Sequence, residues 1–419
     1  MGILQDLEFR GLINQQTDAE GLEQLLKKKS VKLYCGVDPT ADSIHIGHMI
    51  PVIMIKRFQL AGHQPITLIG GATGTIGDPS GKKAERTLNT KDTVAYYTES
   101  IKNQLSNFLE FENVENPATM ANNYDWTHKI NIIEFLRDNG KNFSINNMLA
   151  KDTVATRLET GISLTEFTYK ILQANDFQNL YKKQNGQLQI GGSDQWGNIT
   201  TGLELIRKSE GQEAKAFGLT IPLVTKSDGT KFGKTEGGAI WLDPEKTTPY
   251  EFYQFWINTD DRDVVKYLKY FTFLTKEQIH ELEKKVEKEP QKREAQKALA
   301  EEMTKLVHGE EALEQAIKIT AALFSGSVAE LTASEIEQGF KDVPSVERTA
   351  EDTVLIDLLV ESKISPSKRQ AREDVTNGAI YVNGERTQAL DYVVTEKDRI
   401  EGKFTIIRRG KKKYFLIRY

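Results

Sequence analysis

Residues 32–71 hold an apolar strand, an apolar segment of helical length and a second apolar strand, and this succession constrains the fold more than any other stretch. KLYCGVD at 32–38 alternates Leu33, Cys35 and Val37 on one side, the period-two pattern of a strand. ITLIGG at 66–71 reads as another, and IGHMIPVIMIKRFQLAG between them reads as a helix closed by Gly62. Strands joined by such a crossover run parallel, so an open α/β sheet is expected. Ligands of such sheets lie beyond the carboxyl ends of the strands. YCGVDPT and GGATGTIGDPS fall there, and LQIGGSDQWGN at 188–198, a short strand running into polar residues before NITTGLELIRK, adds a third.

The glycine-rich stretch GGATGTIGDPSGKK, residues 70–83, does not wrap phosphates in either familiar way. A Walker loop needs glycine five positions before the Gly-Lys pair and a hydroxyl after it, but Ile76 precedes Gly81-Lys82 and Lys83 follows. The dinucleotide fingerprint fails as well, because Gly71, Gly74 and Gly77 are spaced three apart with Ala72 where a glycine belongs. Another segment must hold the phosphates of any bound nucleotide.

At 419 residues the chain has room for two or three domains. Residues 1–245 read as the α/β domain. Beyond them TKEQIHELEKKVEKEP and EAQKALAEEMTKLVHGEEALEQAIKITAALF repeat apolar residues three and four apart, so 246–324 is expected to be helical. SGSVAELTASEIEQGFKDVPSVERTAED mixes Ser, Thr, Gly and Pro, and 325–350 reads as a linker with short helical pieces. Residues 351–419 form a compact last domain: Ser365-Pro366 as a helix start, then Lys368, Arg369 and Arg372 on a short helix, then an Asn383-Gly384 hairpin turn. IIRRGKKKYFLIRY offers a second hairpin whose tip carries Arg408, Arg409, Lys411, Lys412 and Lys413.

Net charge is −5, unevenly spread: 351–419 hold 14 Lys and Arg against 11 Asp and Glu, the rest 41 against 49. A basic tail on an acidic body suits a polyanion, because cationic side chains gain by displacing counterions from phosphates; a merely solvated charge run is the competing reading. A basic helix beside basic hairpins suits grasping an RNA backbone by shape. No apolar run reaches the length of a membrane span, and MGILQDLEF carries no signal pattern. Cys35 is the single cysteine, which excludes an internal disulfide and a multi-cysteine metal site, and a cytoplasmic address is expected.

HIGH, residues 45–48, stands at the turn between the first strand and its helix. His45 and His48 share a face at a helix start, where unsatisfied amides favour an anion, and Gly47 lets a flat base or a phosphate reach the backbone. A zinc pair or two structural histidines are the alternatives, and zinc would want further ligands at recognisable spacing. KSDGTKFGKTEGGAI follows LTIPLV, with Lys231 and Lys234 flanking Phe232-Gly233. Two lysines on a mobile loop can close on a triphosphate and neutralise its leaving charge. Taken singly such a loop is more often merely solvated.

Together HIGH and KFGKT resemble the two signatures of class I aminoacyl-tRNA synthetases, the second usually written KMSKS; here Phe232 and Gly233 replace Met and the first Ser, and Thr235 the last. With YCGVDPTADSIHIGH, GGATGTIGDPSGK, TEFTYKILQANDF and QIGGSDQWGN in this order, nearly the whole chain is similar to bacterial tyrosyl-tRNA synthetases, and the tail to the S-four type of RNA-binding fold. The resemblance implies a Rossmann-like parallel-sheet catalytic domain, an α-helical domain and a small α+β RNA-binding domain. It implies ATP-dependent activation of L-tyrosine, transfer to tRNA(Tyr), magnesium arriving with ATP, and a homodimer.

Tyr169, Gln173 and Asp176, spaced i, i+4 and i+7, share a helix stripe of a kind more often turned to solvent. The resemblance turns them toward bound tyrosine. Asp176 and Tyr34 would bond the phenolic hydroxyl, and Asp78, Tyr169 and Gln173 the ammonium group. For ATP it implies His45, His48, Thr40 and Gly47 on the adenosine and phosphate side, Cys35, Gly36, Gly192 and Asp194 near the ribose, and Asp38 and Gln195 placing the reacting groups. Lys82, Arg86, Lys231 and Lys234, with the Thr235 hydroxyl, would clamp the pyrophosphate. Arg207 and Lys208 would meet the acceptor stem and the tail the anticodon and variable arm. Three rivals stand beside this reading: a tryptophanyl enzyme with little use for Tyr34 and Asp176, a small-molecule nucleotidyltransferase with no need of a basic tail, and a non-catalytic RNA-binding relative.

Overall fold

The strand, helix, strand unit forms as expected in the computed structural model, which describes residues 2–80, 88–150, 152–155, 158, 161–230, 232–235, 238–341, 343–410 and 413–419. The main sheet comprises β1 (Gln15–Gln16), β2 (Lys32–Val37), β3 (Gln64–Ile69), β4 (Thr119–Asn122), β5 (Gly186–Gly192) and β6 (Phe217–Ile221), in the order β1-β6-β5-β2-β3-β4. All neighbours run parallel except β1, which lies antiparallel to β6 at the edge. From β2 the chain builds outward through β3 and β4, then returns to the other side of β2 to add β5 and β6. The reversal opens a crevice at the carboxyl ends of β2 and β5, the place where open α/β sheets bind ligands.

Helix Met49–Leu60 crosses from β2 to β3 and is buried almost all round: Met49, Ile50, Val52, Ile53, Met54, Ile55 and Phe58 each expose 2% or less, so it is a core helix rather than an amphipathic one. The first turn expected in it, Ile46–His48, winds as a separate 3₁₀ turn. Near its other end Arg57 shares Asp6 with Arg10 of helix Ile3–Arg10. Both guanidiniums also bond the Thr272 carbonyl, and Arg10 reaches those of Lys269 and Leu274 at 3.1 and 2.8 Å. Burial, then the neighbouring Arg10, holds the Arg57 guanidinium down to about 9.

Packing divides the chain into two units, Met1–Lys246 with Thr259–Leu299, and Thr247–Asn258 with Ala300–Tyr419. The first thus includes helices Asp261–Phe271 and Lys276–Lys288. The second holds helix Pro249–Ile257 and the later part of Glu294–Ser325, a helix interrupted at Gly309. Its five-stranded sheet runs Glu385–Arg386, Ile380–Val382, Phe404–Arg409, Lys413–Arg418, Ser345–Glu347.

Three details of this second unit differ from the sequence expectations. Within 325–350, expected as a linker, Ser345–Glu347 pairs in parallel with Lys413–Arg418, and Val328 and Phe340 are fully buried beside Phe404 and Leu416. A three-residue strand whose partner lies seventy residues on leaves no periodic trace. Helix Lys368–Thr376 is capped by Ser367, not Ser365, whose hydroxyl instead donates to Asp374 at 3.1 Å. The second hairpin forms, but Arg408 and Arg409 are strand residues rather than tip residues. The Arg408 guanidinium stacks 3.9 Å over the Tyr381 ring, and Arg409 pairs with Asp374 at 2.8 Å and donates to the Ile364 carbonyl at 2.8 Å. Asn383 and Gly384 make the expected turn, both with positive φ.

Candidate active site

Helix Leu164–Gln184 carries the Tyr169, Gln173, Asp176 stripe. The stripe faces inward: Asp176 is 2% exposed and Tyr169 5%, and both line a cavity of about 310 Å³ at the carboxyl ends of β2 and β5. The Asp176 carboxylate is held at both oxygens, by Asn123 Nδ2 at 2.9 Å and Trp126 Nε1 at 2.8 Å. Burial pushes its pKa up to about 7 against those two bonds, and the charge on Asp38 adds to the rise. Tyr34 of β2 is buried in the same cavity with its ring against Phe177, and its hydroxyl has no hydrogen-bond partner among the described residues. Burial, then the proximity of Asp176, raises the Tyr34 phenol well above its ordinary pKa, so it stays a neutral donor. An orphaned buried hydroxyl costs roughly 1–3 kcal/mol, which a ligand bearing a hydroxyl would offset.

The other end of the cavity is a chain of polar groups. Asp78 accepts from Gln195 Nε2 at 2.7 Å and from the Ser80 amide at 2.9 Å, while Gln173 donates to Gln195 at 3.2 Å. Asn198 ties these together, donating to both Gln173 and Gln195 at 3.1 Å. Tyr169, grouped with Asp78 in the sequence reading, donates instead to Asp38 at 2.7 Å, and Thr73 donates to the other Asp38 oxygen at 2.6 Å. The residues expected around the amino acid and those expected to align ATP therefore form one network. Asp38, Asp78 and Asp176 in one small cavity favour a cationic group within it.

Cys35, Gly36, Thr40 and Gly47 line the cavity too, as do His48, Gly192 and Asp194. The Cys35 thiol, pushed up to about 12 by burial, is a contact surface and not a nucleophile. Burial first, and Asp78 next, raise the Asp194 carboxyl. His45 lies just outside the lining, its ring stacked 4.0 Å from that of His48. Its Nδ1 accepts the Gly47 amide at 3.0 Å, which puts the ring proton of the neutral imidazole on Nε2. A Cβ at Gly47 would stand 2.7 Å from His45 Cε1, so glycine is what lets this turn close.

The KFGKT departures have a structural reason. Phe232 is 9% exposed, packed 5.0 Å from the Tyr267 ring and 5.2 Å from Phe271 on helix Asp261–Phe271. Gly233 has φ +83°, and a Cβ there would press to 3.2 Å from Ile46 Cγ1 beside Gly47. The chain after the loop runs antiparallel to the HIGH segment, with Ile46 N donating to Ile240 O and Leu242 N to Ile44 O, both at 3.0 Å. Lys82, Arg86, Lys231, Lys411 and Lys412 lie outside the described residues, and Lys234 and Thr235 are described only as a backbone strand paired with Gly238–Ala239.

The residues expected to meet RNA have these surroundings. Arg207 borders a second cavity of about 620 Å³, and Lys208 pairs with Glu204 at 2.7 Å. Lys368 pairs with Asp357 at 2.6 Å, while Arg369 and Arg372 are exposed. Sequence reasoning missed Thr73, Asn123, Trp126, Asn198 and Gln189. Gln189 stands opposite Tyr34 in the β2/β5 register, 3% exposed, its Oε1 without a partner among the described residues. The available signal for Asn123 and Trp126 was their place just past a strand end in TMANNYDW.

A family model described as tRNA synthetases class I (W and Y) matches residues 26–325, and one described as the tyrosine–tRNA ligase SYY-like C-terminal domain matches 335–417. The chain is 88% identical over 419 residues to tyrosine–tRNA ligase 1 of Bacillus cereus (strain ZK / E33L), covering 100% of both chains. It is 68% identical over 418 residues to tyrosine–tRNA ligase 1 of Bacillus subtilis (strain 168), covering 100% of this chain and 99% of that one. Among solved structures it resembles a C-terminally truncated mitochondrial tyrosyl-tRNA synthetase of Aspergillus nidulans, with TM-score 0.70 and 34% identity over 77% of this chain and 94% of the other.

Proposed function

The chain belongs to the tyrosine–tRNA ligases of the class I tRNA synthetases, and from that premise we propose how its residues divide the work. The enzyme uses ATP to activate L-tyrosine and joins tyrosine to tRNA. In our reading the tyrosine carboxylate attacks the α-phosphorus of ATP, pyrophosphate leaves, and the acyl group then passes from tyrosyl-adenylate to the 3′-terminal adenosine of tRNA(Tyr). The attacking carboxylate is already an anion, so activation needs alignment and positive charge on the leaving phosphates rather than a general base.

Asp176 accepts the phenolic proton of tyrosine and Tyr34 donates to the phenolic oxygen. The observation that carries this assignment is the orphaned Tyr34 hydroxyl, buried in one cavity with a carboxylate pinned at both oxygens. Asp78 receives the ammonium group in a cradle stiffened by Tyr169, Gln173 and Gln195, and Asp38 braces it through Tyr169. His45 and His48, with Thr40, meet the phosphates, and Cys35, Gly36, Gly47, Gly192 and Asp194 pack against the adenosine. Lys82, Arg86, Lys231, Lys234 and Thr235 close on the pyrophosphate.

Magnesium enters as part of the MgATP substrate. Asp38, Asp78 and Asp176 each already accept two protein donors, a set suited to orienting organic groups rather than caging a divalent ion. We assign residues 1–245 to activation, the helices of 246–324 to support, those of 259–299 within the first unit, and 351–419 together with the packed segment 325–350 to RNA, with Arg207 and Lys208 near the acceptor stem and Lys368, Arg369, Arg372, Arg408, Arg409, Lys411 and Lys412 on the tail. A homodimer is supported by the exposed apolar side chains Ile132, Ile133, Leu136, Ile145 and Leu164, which solvent would otherwise meet. The cytoplasm, where the tRNA substrate resides, is the working compartment.

Exchange of labelled pyrophosphate into ATP, driven by tyrosine, phenylalanine or tryptophan without tRNA, tests the reading. Exchange with tyrosine alone, lost or made indiscriminate by Asp176→Ala, is expected; exchange with phenylalanine as good as with tyrosine in the unaltered enzyme would overturn the pocket assignment.

A further inference from the structure

We propose that Trp241 is a positioning residue for the HIGH signature, acting on activation through the His45 imidazole; this rests on the phosphate role given to His45 above. Trp241 lies seven residues after Lys234 and pairs with His45 as an antiparallel backbone bridge. Its indole packs edge-on against the His45 ring, with centroids 5.7 Å apart and planes at 68°. The flanking hydrogen bonds, from Ile46 N to Ile240 O and from Leu242 N to Ile44 O, fix the register of that pair.

The indole has a second contact as well. Lys246 Nζ sits 5.5 Å from the Trp241 ring centroid and pairs with Asp42 at 2.8 Å, and Asp42 precedes the HIGH turn by three residues. A cation over the electron-rich face of an indole is an attraction of about 0.5–1 kcal/mol at exposed sites. Asp42, Lys246, Trp241 and His45 thus close a ring of contacts around the start of the signature.

What this ring controls is the aim of a donor. His45 Nδ1 accepts the Gly47 amide, so the proton of the neutral imidazole is on Nε2, and the His48 ring stacks against it. The histidine is the extended N-cap of a short 3₁₀ turn rather than a residue inside a regular helix, so its χ angles depend on its neighbours. Trp241 supplies a further wall. Removing it takes away the indole contact while leaving the Nδ1 bond and the His48 stack, and a misplacement of about 1 Å can cost roughly 100-fold in rate. Because Ile240 N also donates to the Gly233 carbonyl at 3.2 Å, the same strand ties the aim of His45 to the foot of the KFGKT loop.

The test is a double-mutant cycle on Trp241→Ala and His45→Ala in full-length enzyme, read by tyrosine-dependent pyrophosphate exchange and by tyrosine titration. Trp241→Ala is expected to lower kcat about 10- to 100-fold, to leave tyrosine affinity within about twofold, and to add little to the loss already caused by His45→Ala. Trp241→Phe, which keeps an aromatic wall, is expected to recover most of the rate. Losses that multiply in the double variant, with His45→Ala itself defective, would overturn the positioning role. A fully active His45→Ala would instead remove the phosphate role on which the proposal rests. Loss of tyrosine binding by Trp241→Ala together with its exchange activity, unrelieved in Trp241→Phe, would make Trp241 a structural residue only.

Discussion

Lowering the pH from about 8 to about 6 should weaken tyrosine binding to the free enzyme about tenfold, because the Asp176 carboxyl titrates near 7. The ionised carboxylate accepts the phenolic proton; its protonated form must first lose a proton, and its ionised fraction falls about tenfold across that interval. Raising a carboxyl from 3.8 to about 7 corresponds to about 4 kcal/mol of penalty for the charged form, and bound tyrosine relieves part of it. The folded pKa lies above the unfolded one, so this group's contribution to free-enzyme stability is fully present below about pH 4 and is lost as pH rises through about 7. Tyrosine should therefore raise Tm more at pH 8 than at pH 6. Asn123→Ala, which removes a bond that lowers the Asp176 pKa, should move the binding midpoint to higher pH. Calorimetric titration in two buffers of different ionisation enthalpy measures both the affinity and the proton released. A dissociation constant flat between pH 6 and 8, with no proton release, would refute the assignment of Asp176 as the phenol acceptor.

Other perturbations give separate outcomes. Tyr34→Phe should weaken tyrosine by about 0.5–1.5 kcal/mol, a few-fold to about tenfold, and leave phenylalanine unchanged, which the ratio of kcat/KM values in pyrophosphate exchange reads directly. Phe232→Ala should loosen the loop foot from Tyr267 and Phe271 and lower kcat while sparing tyrosine affinity, with Phe232→Met retaining most activity; limited proteolysis across 225–242 reports the loosening. Asp6→Ala leaves two buried guanidiniums without their shared carboxylate and should cost about 3–5 kcal/mol in denaturant unfolding.

The parallel core was legible because KLYCGV alternates and ITLI is apolar throughout, with an apolar segment of helical length between them, and because HIGH marks the turn between the first strand and its helix. Side chains that could lie on one stripe of a helix were legible by spacing, which is how Tyr169, Gln173 and Asp176 came together. Spacing could not say which way the stripe faced. Nor could it pair Asp176 with Asn123 and Trp126, some fifty residues earlier just past the edge strand β4, or hand Tyr169 to Asp38 rather than Asp78. The place of the hairpin arginines was hidden for a related reason: composition found them, but only the register Arg408↔Tyr414 and Arg409↔Lys413 puts them in the strand rather than at the tip, and there one stacks and the other pairs with Asp374.

The antiparallel bridge between His45 and Trp241 also carries a timing rule for the cell. The two residues are separated by about 200 positions, so a ribosome working at roughly 5–20 residues per second delivers the second about 10–40 seconds after the first. Through that interval β3, Asp78, Asp176 and β5 are added in turn, and the indole that packs on His45 follows them all. All six strands of the main sheet precede Trp241 in the chain, so the sheet is fully synthesised before the residue that bridges to His45 appears.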